Sequence, residues 1–192
     1  MELLERAISE KGTVLPGNVL KVGSIINNQI DISLMCAMAD EACSRFKDKG
    51  VTKVLTVEAS GIAFAVLIAE RLKVDAVFAK KSKTSNVEGE VYSARCYSYT
   101  HKKENTLIIP KEYLGSADTV LIADDFLANG EAVSALLDMA NRAGASVVGA
   151  AIAVEKGFQG GGDRLRAKGL EVFSLAVIDS MDGGKIVFRK DK

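Results

Sequence analysis

Two adjacent carboxylates stand between an apolar segment and a predicted helix. The stretch from Val120 to Ala132 is apolar up to Asp124 and Asp125, and a turn containing Gly130 follows. In open α/β sheets, ligands bind outside the carboxyl ends of strands, and a helix N-terminus offers unpaired N–H groups to a phosphate. The stretch therefore predicts a phosphate site beside two acids that can take sugar hydroxyls or a Mg²⁺-bound water.

The alternative is a plain helix cap in solvent, and the acidic pair alone does not decide between the two. Other phosphate motifs are excluded, since no Gly-Lys-Ser/Thr follows the turn and no GxGxxG follows a strand. His101 is the only histidine and lies between polar residues. We interpret it as a surface residue, which argues against a Ser–His–Asp arrangement or a zinc site.

The elements that would position the acids alternate between β-branched runs and helical patterns, which is typical of βαβ units and a largely parallel sheet. Asp124 and Asp125 would follow the third of these strands. We expect residues 80–105 to form a mobile hairpin standing off the sheet, and the triple glycine at 160–162 to form a loop. The predicted strands are 54–57, 74–79, 119–123, 146–154 and 172–178, with an edge strand at 185–189; the predicted helices are 34–46, 62–71 and 131–143.

Composition restricts the class of protein. The chain has 192 residues, with 25 basic and 25 acidic side chains and a net charge of zero, so it has no overall field for nucleic acid. Three cysteines do not suggest a disulfide framework. The first ten residues lack the apolar run of a signal peptide, and no stretch is long enough to span a membrane. We expect a cytoplasmic single-domain α/β protein with no nucleic-acid or membrane partner.

Further segments carry a resemblance to a known family. The segment from Asp124 to Ala132 resembles the diphosphoribosyl-binding signature of type I phosphoribosyltransferases. Leu15 to Asp31, Glu58 to Ala63 and Ala153 to Lys156 resemble bacterial xanthine phosphoribosyltransferases in order and spacing. The chain is identified by this resemblance as a member of the type I purine phosphoribosyltransferase family over essentially its whole length.

Two residues depart from the family pattern. Asn129 stands where most members have Thr, and Glu131 where many have Gly. An Asn side chain can still donate to a phosphate, and Glu131 can bind through its backbone N–H while its carboxylate points away.

The resemblance implies a single domain, 1–192, with the type I phosphoribosyltransferase fold: a mostly parallel twisted sheet with flanking helices, a hood from about 1–30 and 155–192, and a mobile β-hairpin lid at about 82–105.

The resemblance also implies a reaction, in which a purine replaces the diphosphate of 5-phosphoribosyl 1-diphosphate (PRPP) through an oxocarbenium-like transition state. Asp124 and Asp125 would be the catalytic acids. Mg²⁺ would accompany the diphosphate, with no side chain assigned as a direct ligand, although Glu58 could reach a metal-bound water. The implied PRPP-binding residues are Ala128, Asn129, Gly130, Glu131 and Ala132, and the implied pyrophosphate loop comprises Ala59, Ser60 and Gly61 with Lys81; Lys80 and Lys83 are weaker candidates.

The base site would be built from three residues. The Lys156 ammonium can only donate hydrogen bonds, which favours a purine with an oxygen at C6. Asn27 would donate to a second carbonyl, as in xanthine, although a flipped amide would also accept from the 2-amino group of guanine. Leu20 would pack on the base face. Tyr97 and Tyr99 of the hairpin could cover the substrate or simply face outward.

Two other functions compete with xanthine transfer. A hypoxanthine–guanine phosphoribosyltransferase would use the same fold and mechanism, and a PRPP-sensing regulator would bind without catalysis. The resemblance also implies a homodimer, for which the apolar helix face from Leu34 to Phe46 is a possible contact.

Overall fold

The computed structural model describes residues 1–82, 89–98 and 103–190. Its centre is a six-stranded sheet in the order β10-β9-β8-β7-β3-β4, in which all neighbours are parallel except the edge strand β10. Helices and a two-stranded ribbon, β5–β6, surround it, so the predicted α/β class and mostly parallel sheet are confirmed. The helices are α1 (Glu2–Lys11), α2 (Ile32–Phe46), α3 (Gly61–Leu72), α4 (Glu131–Arg142) and α5 (Gly161–Ala167); the strands are β1 (Thr13–Leu15), β2 (Val19–Lys21), β3 (Lys53–Val57), β4 (Asp75–Ala79), β5 (Val91–Ser98), β6 (Lys103–Pro110), β7 (Thr119–Leu127), β8 (Ser146–Lys156), β9 (Val172–Ser180) and β10 (Val187–Phe188).

The N-terminal segment packs against strand β9, where the amino group of Met1 donates to the Leu175 carbonyl. Helix α1 buries Leu4 and Ile8, and the antiparallel pair β1–β2 leads into a π-helical turn, Gly23–Asn27. Strand β9 belongs to the main sheet, although its residues fall within the range expected for the hood. No helix in the described part of the chain is long and apolar enough to cross a membrane.

Local sequence explains where helix α2 begins and which face it buries. The Asp31 carboxylate accepts a hydrogen bond from the Leu34 N–H at 3.1 Å, which satisfies one of the free donors of the first turn. Met35, Met38 and Phe46 recur at helical spacing and are fully buried. The apolar face from Leu34 to Phe46 is therefore part of the chain's own core, and the suggestion that it contacts a second subunit is wrong.

The acidic pair lies inside a strand rather than after it. Strand β7 was expected to end at residue 123, but its pairing with β8 continues through Asp124↔Ile152 to Leu127↔Glu155. On its other side, β3 pairs with β7 only from Lys53↔Val120 to Leu55↔Ile122. The prediction failed because apolar patterning does not detect hydrogen bonding to one neighbouring strand. Strand β8 likewise reaches Lys156, two residues beyond its predicted end.

Two other expectations need correction. The glycine triplet is not a loop, because Gly160 is the N-cap of α5 and the helix begins at Gly161. The ribbon does not stand off the sheet at its base, since Leu107 and Ile109 are fully buried and Lys80 pairs with Ile108. The described part of the ribbon has the predicted antiparallel pairing, while residues 83–88 and 99–102 of the expected lid, including Lys83, Tyr99 and His101, lie outside the described residues.

Candidate active site

The buried acidic pair occupies the part of β7 that extends past β3. Asp124 and Asp125 are both buried, and the Asp124 Oδ1 accepts a hydrogen bond from the Asp125 N–H at 3.0 Å. Burial, and next the charge of Asp125, raise the pKa of Asp124 well above its ordinary value. Two carboxylates with different surroundings are thus held side by side, which suits a site that binds hydroxyls and stabilises positive charge.

The turn after β3 packs directly on this pair. An added Cβ on Gly61 would lie 2.4 Å from Thr56 Oγ1 and 2.9 Å from Asp124 Oδ1, so only glycine fits there. The Thr56 hydroxyl is buried and has no hydrogen-bond partner in the part of the chain that the structure describes. The peptide bond between Glu58 and Ala59 is cis. The expected pyrophosphate loop therefore contacts the acids through a residue without a side chain.

Glu58 links the loops that follow β3 and β4. Its Oε1 accepts a hydrogen bond from the Lys81 N–H at 2.6 Å, and its own N–H donates to the Ala79 carbonyl at 3.1 Å. The Lys81 charge acts on Asp124, where it opposes the effect of burial on the pKa. Ala59 and Lys81 are exposed, and Ser60 is half-buried. Small residues, backbone N–H groups and one ammonium thus surround an open space suited to an anion.

The predicted phosphate cradle is the start of α4. Gly130 adopts the left-handed conformation at φ 80° and is the N-cap, a geometry that favours glycine. The first intrahelical hydrogen bond runs from the Ser134 N–H to the Gly130 carbonyl at 2.9 Å. The N–H groups of Glu131 and Ala132 precede that bond, as expected for a helix start able to bind a phosphate. Ala128 and Asn129 are half-buried beside it.

The ribbon passes close to the same region. Burial, followed by the charges of Glu131 and Asp124, raises the pKa of the Cys96 thiol on β5. The Arg142 side chain of α4 donates to the Ser93 carbonyl. Strand β5 is therefore fixed along α4, beside the cradle and the acids.

Lys156 is half-buried at the end of β8. Its Nζ lies 3.4 Å from the carbonyl oxygen of Asn18 and 5.8 Å from the centre of the Phe126 ring. Burial lowers the pKa of Lys156 below its ordinary value. Because Leu127 pairs with Glu155, the cradle begins next to Lys156 on the neighbouring strand. A cationic donor and a phosphate site are thus adjacent.

The other expected base-site residues belong to the N-terminal segment. Leu20 is buried on β2, two residues after Asn18. Asn27 is exposed at the end of the π-helical turn, and no hydrogen bond joins its side chain to Lys156 among the described residues. The β1–β2 turn thus connects Leu20 to Lys156 through Asn18, and Asn27 follows on the same N-terminal segment with its side chain exposed.

Sequence reasoning missed a buried ion pair behind Lys156. Glu155 accepts two hydrogen bonds from Arg166, at 2.9 and 2.6 Å, and one from the Ser174 hydroxyl. Burial by itself would raise the pKa of Glu155, but the hydrogen bonds from Arg166 and Ser174 outweigh burial and lower that pKa. An added Cβ on Gly162 would lie 2.0 Å from Glu155 Oε1. The glycine triplet was the available signal, since Gly161 and Gly162 permit this close approach of α5.

Comparison with known proteins gives a consistent result. Residues 31–181 match the model of the phosphoribosyl transferase domain. The chain is 48% identical over 192 residues to a xanthine phosphoribosyltransferase of Listeria innocua, with both chains fully covered. It is also 48% identical to a xanthine phosphoribosyltransferase of Bifidobacterium adolescentis, covering 98% of this chain and all of that one.

Solved structures support the fold. An adenine phosphoribosyltransferase from Rhodothermus marinus matches with a TM-score of 0.75 and 21% identity, covering 93% of this chain and 100% of that one. The enzyme from Giardia lamblia, in complex with 9-deazaadenine, matches with a TM-score of 0.77 and 22% identity, covering 91% of this chain and 96% of that one. At this level of identity, the similarity shows a shared architecture and no more.

Proposed function

The chain belongs to the phosphoribosyl transferase domain family, and from this we propose that it transfers the 5-phosphoribosyl group of PRPP to xanthine. The products are xanthosine 5′-monophosphate and pyrophosphate, so the reaction is one of purine salvage. The observation that carries the proposal is the 47% or 48% identity, along the whole chain, to relatives named xanthine phosphoribosyltransferase.

The 5′-phosphate of PRPP is assigned to the cradle, Ala128 to Ala132. The support is the left-handed Gly130 and the helix start behind it, which present N–H groups at the positive end of a helix dipole. Glu131 contributes its backbone N–H, and its carboxylate must point away from the phosphate. The pyrophosphate group is assigned to Ala59, Ser60, Gly61 and Lys81. The hydrogen bond from the Lys81 N–H to Glu58 joins the two loops that contain these residues.

Asp124 and Asp125 are assigned to the ribose ring. In the transition state the bond from C1′ to pyrophosphate breaks while N9 of the base forms a new one, so positive charge develops on the ribose. Fixed carboxylates beside that charge stabilise the transition state more than the ground state. In this assignment both carboxyl groups face the position where this charge develops, and burial together with the charge of Asp125 raises the pKa of Asp124.

Mg²⁺ would enter this site together with the diphosphate of PRPP. Among the described residues, no group of three or more His, Cys, Asp or Glu side chains could hold a metal. Mg²⁺ usually takes one or two carboxylates, with waters and substrate phosphates completing its shell. The Oε1 of Glu58 is occupied by the Lys81 N–H, so the other oxygen can face a metal-bound water. When bound, the ion would neutralise charge on the departing pyrophosphate.

The base is assigned to Lys156, Leu20 and Asn27. Lys156 would donate to the oxygen at C6, Asn27 to the oxygen at C2, and Leu20 would pack on one face. Xanthine loses a proton near neutral pH, and an ammonium beside the base stabilises the resulting anion. Because Lys156 is partly desolvated, we expect its charge to interact strongly with an anionic base.

The remaining parts of the proposal concern assembly and location. We propose a homodimer, as the family resemblance implies, and exposed apolar side chains such as Phe78 and Tyr113 support it. We propose the cytoplasm as the site of action, because Cys36, Cys43 and Cys96 are all free, as is usual in a reducing compartment.

A steady-state assay tests the function. The purified chain is given PRPP, Mg²⁺ and, in turn, xanthine, guanine, hypoxanthine and adenine. We expect the highest kcat/KM for xanthine and negligible turnover of adenine, whose 6-amino group cannot accept from Lys156. Asp125→Asn, which keeps the size of the side chain, is the control and should lose turnover with every base while remaining folded.

The other outcomes would change the assignment. Turnover led by guanine or hypoxanthine would indicate a hypoxanthine–guanine phosphoribosyltransferase with the same fold. Binding of PRPP without turnover of any base would favour a regulator.

A further inference from the structure

Helix α5 touches two loops of the proposed site through one side chain. The Nη2 of Arg164 donates to the Asn129 carbonyl at 3.1 Å, and its Nη1 donates to the Gln159 carbonyl at 3.3 Å. Asn129 lies in the phosphate cradle, and Gln159 belongs to the base loop, which we define as Gly157–Gln159, directly after Lys156. Arg164 thus bridges the phosphate side and the base side of the site.

Glycines at the start of α5 allow the helix to approach the phosphate cradle closely. An added Cβ on Gly161 would lie 2.2 Å from the Ala128 carbonyl oxygen and 2.7 Å from the Gly130 nitrogen. At Gly160, φ is 70° and a Cβ would lie 3.1 Å from Arg164 Nη1. The start of α5 therefore rests on the backbone of the cradle, with no side chain between them.

The far end of α5 is held in place independently. Arg166 forms its bidentate ion pair with the buried Glu155, and Leu165 is buried against the core. The helix is thus fixed to strand β8, and Arg164 extends from a rigid support.

A hydrogen bond to the Asn129 carbonyl also orients an N–H group of the cradle. The carbonyl and the N–H of one trans peptide unit point in opposite directions, and the peptide between Asn129 and Gly130 is trans. Arg164 holds that carbonyl on the side of α5, so the Gly130 N–H points the other way, away from α5. A charged donor on the carbonyl also polarises the peptide and strengthens its N–H as a donor.

We propose that Arg164 is a positioning residue that couples occupancy of the phosphate cradle to occupancy of the base site. It acts on phosphate through the peptide between Asn129 and Gly130, and on the base through the Gln159 carbonyl and the loop that follows Lys156. This inference rests on the proposed function, since it assumes that the cradle binds the 5′-phosphate and Lys156 the base.

Binding experiments without turnover test the coupling. Xanthine is titrated into the wild-type protein by calorimetry, with and without saturating ribose 5-phosphate, which carries the 5′-phosphate but no leaving group. We expect ribose 5-phosphate to raise the affinity for xanthine about fivefold or more, the lower end of usual couplings between sites. In Arg164→Met, the enhancement should fall below about twofold, and ribose 5-phosphate should bind more weakly than to the wild type.

Two further variants separate positioning from general damage. Lys168→Met removes an exposed positive charge at the end of the same helix and should leave the coupling unchanged. Arg164→Lys keeps the charge but has one nitrogen in place of the two that bind separate carbonyls, so it should restore only part of the coupling. Steady-state kinetics of Arg164→Met should show a raised KM for PRPP with a smaller change in kcat.

The inference is overturned if the wild type shows no coupling, or if Arg164→Met couples as strongly as the wild type. Turnover of xanthine by the wild type, measured in parallel, reports on the proposed function separately. Weaker ribose 5-phosphate binding by Arg164→Met would support the role of Arg164 even if no base were turned over.

Discussion

At the scale of single residues, the site combines charged groups that the fold stabilises poorly in their ionised form. Asp124 is buried beside Asp125, and Lys156 is partly desolvated at the end of β8. Removing either charge should therefore harm the reaction and favour the folded state. Such a trade-off distinguishes functional residues from those that only support the fold.

Asp124→Asn should increase stability at neutral pH while lowering turnover. The pKa of Asp124 is raised in the folded state, so the wild type loses stability as the pH rises from the ordinary aspartate value through the raised one. In Asp124→Asn this pH-dependent loss of stability does not occur, and the amide oxygen can still accept a hydrogen bond from the Asp125 N–H. The difference in melting temperature between variant and wild type should be small near pH 4 and grow towards pH 8. An equal difference at both pH values would contradict the raised pKa.

Lys156→Met should weaken the use of xanthine and leave PRPP binding nearly unchanged. The loss of a buried polar contact costs about 1–3 kcal/mol in base binding, and Met retains most of the length and apolar surface of Lys. The measurement is kcat/KM for xanthine at saturating PRPP, with Lys21→Met, an exposed lysine on β2, as the matched control. Unchanged kcat/KM in Lys156→Met would show that the base binds elsewhere.

At the scale of elements, the site depends on strands of unequal length. Strand β7 continues beside β8 for five residues after its last pair with β3, and the acids lie in that extension. Helix α5 then closes the space behind the cradle and is fixed to β8 by the ion pair of Glu155 and Arg166.

Glu155→Gln should destabilise the protein without changing which base is preferred. The amide can accept from Arg166 but carries no charge, so the guanidinium loses its ionic partner. We expect a cost of about 1.5–3 kcal/mol in the free energy of unfolding, the usual value for hydrogen bonds to charged groups. Denaturant unfolding measures it, with Asp163→Asn, an exposed neighbour of Arg166, as control. A similar small decrease in the free energy of unfolding for both variants would mean that the ion pair of Glu155 with Arg166 contributes little to stability.

At the scale of the whole molecule, the free edge of β4 is the open side of the sheet. Phe78 on this strand and Tyr113 beyond β6 are 40% and 51% exposed, and Lys80 pairs with Ile108 at one end of the edge. The strand at the opposite edge, β10, has only two residues. If the chain forms a homodimer, this edge is a more suitable contact than α2, whose apolar face is buried.

Phe78→Glu should therefore weaken self-association. A buried charge at a subunit contact is costly, so the variant should sediment as a smaller species than the wild type at equal concentration. Ile32→Glu replaces another exposed apolar residue, 63% exposed at the start of α2, and should have no effect. A monomeric wild type, or a Phe78→Glu variant that associates normally, would exclude this edge as the contact.

Sequence patterns predicted those parts of the molecule that depend on local periodicity. The central strands, helices α2 to α4 and the helix start at Gly130 agree with these predictions, because buried strands and helix starts have local signatures. The length of β7, helix α5 and the contacts of Arg164 were not. Each depends on residues distant in the chain, such as Glu155 with Arg166 or Gly161 with Ala128, and no local pattern encodes such contacts.

The attachment of the ribbon has a mechanical consequence. Its base is held by the pairing of Lys80 with Ile108, by the ion pair of Lys111 with Glu90 and by the Arg142 hydrogen bond to Ser93. When a ribbon held at its base bends, a residue is displaced more the farther it lies from the contacts at the base. Bending of the ribbon would thus displace Tyr97 more than Ser93, so removing one of these contacts should make the described part of the ribbon easier to bend without changing its length.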